Sequence, residues 1–164
     1  MPTKTYKPIA TTTLSSSVAS YTFSSIPSNY TDLILAMSAS ITTAGNTIRI
    51  QFNGDTAGNY SYTALGATSG GPLGTRGTNT IFLPFWVFNG AAANQISANV
   101  VNINNYSNTT TFKTSIIRAN YGDNGEATGL IGLWRSTAAI SSISIFSSAG
   151  NLGSGSQLTL YGIA

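Results

Sequence analysis

The chain has 164 residues, 41% of them hydrophobic, enough to bury one core, yet only 7% are charged against about 25% in typical soluble domains. Its net charge is +3, seven bases against four acids, and the bases Lys4, Lys7, Arg49, Arg76, Lys113, Arg118 and Arg135 are too scattered to form the basic face that counterion release rewards, so nucleic acid is not an expected partner. The absence of His and Cys removes the commonest general base, the commonest metal ligand and all thiol chemistry.

The first dozen residues, with Pro2 and Pro8 among polar side chains, read as an arm (residues 1–12) ahead of a single domain (residues 13–164). They have no apolar centre and do not read as a signal peptide. Downstream, alternation replaces helical spacing. Ser20-Tyr21-Thr22-Phe23-Ser24 and Thr47-Ile48-Arg49-Ile50-Gln51-Phe52 carry the period-two pattern of half-buried strands. Between them, Leu33 to Met37 is a denser apolar run suited to a central strand. Residues Gly66 to Thr80 hold five glycines and a proline and read as a long surface loop. The aromatic segment Ile81 to Phe88 is too short to span a bilayer. Its proline, Pro84, suits an edge strand. Val100 to Ile103 and Ser115 to Ile117 again look central. Ser136 to Ser142 reads as a loop or one helical turn. Ser142 to Ile145 and Gln157 to Tyr161 close the series, separated by turns rich in Asn, Asp and Gly. Nine or ten short strands of this kind predict an all-β, antiparallel β-sandwich, jelly-roll-like, in a single domain.

Four acids are present: Asp32, Asp55, Asp123 and Glu126. Asp123 and Glu126 are the near pair, but Asp123-Asn124-Gly125 reads as hairpin turn chemistry with Glu126 starting the next strand. Serine chemistry lacks an activating base, so an enzyme is not expected. Calcium takes oxygen ligands, and Asn53, Asp55 and Asn59 offer part of a site. The single carboxylate compensates charge weakly, and Asn53-Gly54 reads as a hairpin turn with Asp55 capping the loop. No cofactor is expected. Trp86, Tyr60 and Tyr62 could stack sugar rings, though Trp86, Phe82, Phe85 and Phe88 read first as core or subunit-interface residues. In Leu133-Trp134-Arg135, Trp134 turned inward is explained by packing.

Several strings are unusual: SSIPSNYTDL (24–33), RIQFNGDTAGNY (49–60), NYSNTTTFKT (105–114) joined to GLWRSTAAI (132–140), and LTLYGI near the end. Together they resemble a family of small virion proteins from tailed bacteriophages, common among marine and cyanobacterial phages. The resemblance covers most of residues 20–163 but not 66–95. It implies a β-rich structural protein of the virion and makes the FNGD string a fold-defining turn. The resulting expectation is a capsid decoration (cement) protein on the capsid surface. Its partners would be the major capsid protein and itself, as a homo-oligomer such as a trimer, with no nucleic acid or membrane. Expected capsid or subunit contacts are Lys4, Tyr6, Lys7, Arg76, Phe85 and Trp86, from the arm, the 66–80 loop and the aromatic segment. The alternative is a tail-associated receptor-binding module that takes host glycans.

Overall fold

The computed structural model describes residues 5–68, 70–85, 95–121 and 125–164. The described chain is all-β, with twelve strands: β1 Tyr6–Thr13, β2 Ser20–Phe23, β3 Asp32–Ala39, β4 Ile48–Phe52, β5 Tyr60–Thr68, β6 Gly71–Thr80, β7 Leu83–Phe85, β8 Ser97–Asn104, β9 Lys113–Tyr121, β10 Glu126–Trp134, β11 Ile143–Ser147 and β12 Gln157–Ile163. They form an eight-stranded sheet, β1-β12-β3-β8-β9-β10-β5-β6, and a four-stranded sheet, β2-β11-β4-β7. Every pairing among these strands is antiparallel.

If the β5–β6 and β9–β10 hairpins are set aside, the remaining eight strands change sheet at every step in chain order except from β4 to β7, which pair with each other in the smaller sheet. Their spatial orders, β1-β12-β3-β8 and β2-β11-β4-β7, are those of a jelly roll. The two hairpins then extend the first sheet beyond β8, doubling its width. The apolar runs at Leu33 to Met37, Val100 to Ile103 and Ser115 to Ile117 lie on β3, β8 and β9, in the middle of this sheet. The strand carrying Pro84, β7, is an edge of the smaller one.

Alternation builds the core. Leu33, Leu35 and Met37 of β3, Ile48, Ile50 and Phe52 of β4, Ile143 and Ile145 of β11, and Leu158 and Leu160 of β12 are all buried between the sheets. Each such side chain stabilises the fold by roughly 1.5–3 kcal/mol. At one end the core becomes aromatic: the rings of Phe52 and Trp134 lie 5.6 Å apart, and Tyr60 stacks on Trp134 at 6.3 Å.

Three expectations need correction. Residues 66–80 are not a loop: β6 pairs with β5 from Thr80 to Gly71. Its inward face is Leu73, Thr75 and Gly77, so a single large apolar side chain marks the alternation and the glycines mask it. Gly77 has a packing reason, because the Tyr62 ring occupies the space where its Cβ would stand. The arm, as far as it is described, is an edge strand, with β1 paired along β12. Finally, Asn53-Gly54 does not turn a hairpin, since β4 and β5 belong to different sheets; the stretch is a corner by which the chain changes layer. Residues 136–142 form a loop without helix.

Candidate functional site

The corner is held by side chains that saturate each other. Asn53 and Gly54 both take positive φ, 53° and 66°, a conformation open mainly to Gly and Asn. The Asn53 Oδ1 accepts hydrogen bonds from the backbone N–H groups of Ser141 (2.8 Å) and Ser142 (3.1 Å), and its Nδ2 donates to the Ala139 carbonyl at 2.8 Å. Asp55 accepts from the Ala57 N–H at 2.9 Å, the Asn59 Nδ2 at 2.9 Å and the Trp134 Nε1 at 2.6 Å. Burial opposes ionisation of this carboxyl most strongly, but the hydrogen bonds from Asn59, Trp134 and Ala57 together outweigh it and hold its pKa below the usual value. Arg135 closes the loop, donating to the Ser61 hydroxyl, to the Gly58 carbonyl at 2.6 Å and to Asn79 Oδ1 at 2.8 Å.

This geometry suits a turn better than a cation site. The groups aimed at Asp55 are N–H donors, and the indole N–H has no lone pair to offer a metal. Among the described residues no group of three or more His, Cys, Asp or Glu could hold a metal ion. Trp134 is not explained by packing alone, because its Nε1 makes the shortest of the three bonds to Asp55.

The unusual strings of the sequence meet at the same end of the molecule. Ile26 N–H donates to the Ser141 carbonyl at 3.0 Å and Ile140 N–H to the Tyr106 carbonyl at 2.9 Å, while the Tyr106 hydroxyl donates to the Pro27 carbonyl. Asn108 Oδ1 accepts from the Thr110 and Thr111 backbone N–H groups at 2.7 and 2.9 Å. Lys113 points inward and is buried; its Nζ donates to the carbonyls of Thr111 (2.8 Å) and Thr137 (3.2 Å). Burial lowers its pKa. Buried Tyr60 donates back to the Phe52 carbonyl and accepts from the Phe52 N–H at 2.9 Å; burial raises its pKa. The network closes loops, and among the described residues these groups converge on one another rather than on a substrate cleft.

Of the expected contact residues, Tyr6 is 55% exposed and sets its ring edge-on to Tyr161. Lys7 and Arg76 are also exposed. Phe85 is fully buried on β7, where it stands opposite the core residue Ile48, and it can contact no partner. Lys4 and Trp86 lie outside the described residues, as do Phe88 and Asp123. Tyr60 cannot serve as a sugar platform, being wholly in the core. Tyr62 is half-buried against Gly77. Phe82 carries the Arg49 guanidinium 3.9 Å above its ring, a cation–π contact. Glu126 starts β10 as expected but points inward and is buried.

The broadest surface feature is the outer face of the eight-stranded sheet, which no described element covers. Cross-strand pairing runs Thr63, Ile131, Ile116, Asn102, Ile34 and Tyr161 in one row. Two residues along each strand, Leu65, Gly129, Arg118, Val100, Ala36 and Thr159 make the next. Leu65, Ile131 and Ile116 are 67%, 56% and 44% exposed. The strands set three charged side chains on this face, Asp32, Arg118 and Arg76. An open trough of about 570 Å³ runs past Ala98, Val100, Arg118, Ala127 and Gly129. Sequence reasoning missed this face because the strand that completes it, β6, read as a loop.

Compared with known proteins, the chain matches no protein-family model, no curated protein and no solved structure.

Proposed function

We propose that the protein is a structural component of a tailed-bacteriophage virion, a decoration (cement) protein that binds the outside of the head and stabilises it. The observation that carries this reading is the wide, nearly uncharged outer face of the large sheet, joined to an end network whose polar groups are spent on one another. A cement protein works by contact area and by low charge that lets many copies crowd together, and both follow from this surface. The jelly roll is a fold used by viral capsid domains as well as by lectins, an analogy of fold that supports the reading without carrying it. The family resemblance of the four strings points the same way. Its partners would be the major capsid protein and further copies of itself.

The glycan-binding alternative needs exposed, coplanar rings. Tyr60 is in the core and Tyr62 is packed on Gly77, which leaves it little support among the described residues. Immunogold electron microscopy of purified virions, with antibody against this chain, tests the proposal. Label is expected over the head. Label at the tail tip overturns the cement reading in favour of receptor binding. Absence of the chain from the particles by mass spectrometry overturns any virion role.

A further inference from the structure

We infer that the outer face of the eight-stranded sheet is a self-association surface, on which a second copy of this chain packs face to face about a twofold axis. The inference deepens the virion reading by assigning the face that carries it to a further copy of the chain, and its test uses the isolated chain so that the two can fail separately. Three observations carry it: exposed apolar side chains, glycines that the fold itself does not need, and a register that lets one fill the other.

Leu65, Ile131 and Ile116 are among the large apolar side chains that the described chain leaves most open to water, and Ile131 lies directly opposite Ile116 across the β10–β9 ladder. Contiguous apolar ground of this kind marks a contact surface. Beside it lies the trough at Gly129. A Cβ built on Gly129 meets nothing within 4 Å, and one on Gly74, in the same row, meets only a Leu65 methyl at 3.9 Å. Both positions are in mid-strand, where glycine weakens a sheet. Neither glycine is required by a turn, a positive φ or a close approach inside the described chain. Something outside the chain can use the space.

A second copy fits it. Ile131 and Gly129 are two residues apart on β10 and belong to adjacent rows. A twofold axis lying in the face, across the strands and between these rows, sets Ile131 of each copy over Gly129 of the other. The same operation sets Leu65 over Thr63 and Ile116 over the aliphatic stem of Arg118, whose guanidinium remains free to reach the rim. Such a contact is isologous, so ridge and trough are satisfied twice. The extent is adequate: eight strands about 4.8 Å apart and four exposed rows about 6.8 Å apart span on the order of 1,000 Å². A standard interface buries about 800 Å² per partner. Charge argues against other occupants, because two arginines and one aspartate across such an area select neither a polyanion nor a strongly charged protein.

The full chain tests the inference by sedimentation equilibrium at about 50 µM, above the micromolar Kd that a face of this size sustains. Twice the 17.0 kDa chain mass is expected. Ile131→Glu or Gly129→Lys alone should weaken association on the order of a hundredfold while leaving in place the thermal melt taken well below the associating concentration, where every chain is a monomer, since both positions are open to solvent. Mixing the two variants should restore a dimer, because the carboxylate introduced at position 131 of one chain then meets the ammonium introduced at position 129 of the other. A monomeric wild type overturns the inference, and so does one that associates only on phage heads. It is equally overturned if the single variants associate as well as the wild type, or if a mixture of them stays monomeric. Failure of the virion labelling would leave all these results untouched.

Discussion

Residues 53–59 and 71–80 are written mostly in the same alphabet of Gly, Asn, Thr and Asp or Arg, yet they do opposite things. The first is a corner in which almost every polar side chain is spoken for, with Asn53 tied to Ala139, Ser141 and Ser142 and Asp55 held by three donors. The second is an extended edge strand held by its ladder to β5, with Arg76 exposed and Gly74 open. Composition therefore does not separate a structural hub from a sheet margin. What separates them is where the hydrogen bonds go. In the corner, side chains replace the backbone pairing that a layer change forfeits; in the strand the ladder does most of the holding, and side-chain bonds are added at its end nearest the corner, through Asn79 and Thr80.

The corner should break first. Asn53→Ala removes the acceptor of two backbone N–H groups and places a Cβ residue without a compensating side chain at φ 53°. A loss of about 3 kcal/mol in denaturant unfolding is expected. Asn53→Gly, which restores the backbone freedom but not the bonds, should recover about 1 kcal/mol of it. Equal losses in the two variants would show that the positive φ carries no cost here.

Trp134→Phe should come next, at about 2 kcal/mol near neutral pH, from the lost bond to a charged acceptor and the smaller ring. The two parts separate with pH. The folded pKa of Asp55 is depressed below 3.8, so its contribution is complete above that value and is lost as pH falls through the lower folded one. The gap between wild type and variant should therefore narrow on acidification and leave the packing part. A gap that does not change with pH would mean the indole N–H contributes nothing through Asp55.

The contrast also explains which features were legible from residues alone. Central strands announced themselves as dense apolar runs such as Leu33 to Met37, of which Leu33, Leu35 and Met37 bury. The Asn53-Gly54 turn was visible because few residues tolerate positive φ, but its role as a layer change was not, since that depends on β4 and β5 joining different sheets. Phe85 read as a contact because it sits among crowded aromatics; pairing with Ile48 of β4 decides its direction instead. Trp134 gave no sign of its bond to Asp55, a partner 79 residues away. The outer face was hidden because β6 carries its alternation in glycine and threonine rather than in large apolar side chains.

The glycines of β6 supply the finest comparison, because Gly77 and Gly74 share a strand but lie on its opposite faces, where a methyl group would meet different surroundings. At Gly77 it runs into the Tyr62 ring, and at Gly74 it touches one Leu65 methyl at 3.9 Å. Gly77→Ala should cost about 1–2 kcal/mol as the ring is pushed off its seat. Gly74→Ala should be neutral or stabilise the monomer by up to about 0.5 kcal/mol, since the unfolded chain loses freedom and the strand loses nothing. Chemical unfolding of the two variants, measured below the concentration at which the chain associates, gives the ranking directly. A costly Gly74→Ala under those conditions would mean that the fold itself needs the space, and that the trough beside Leu65 is filled from within the chain.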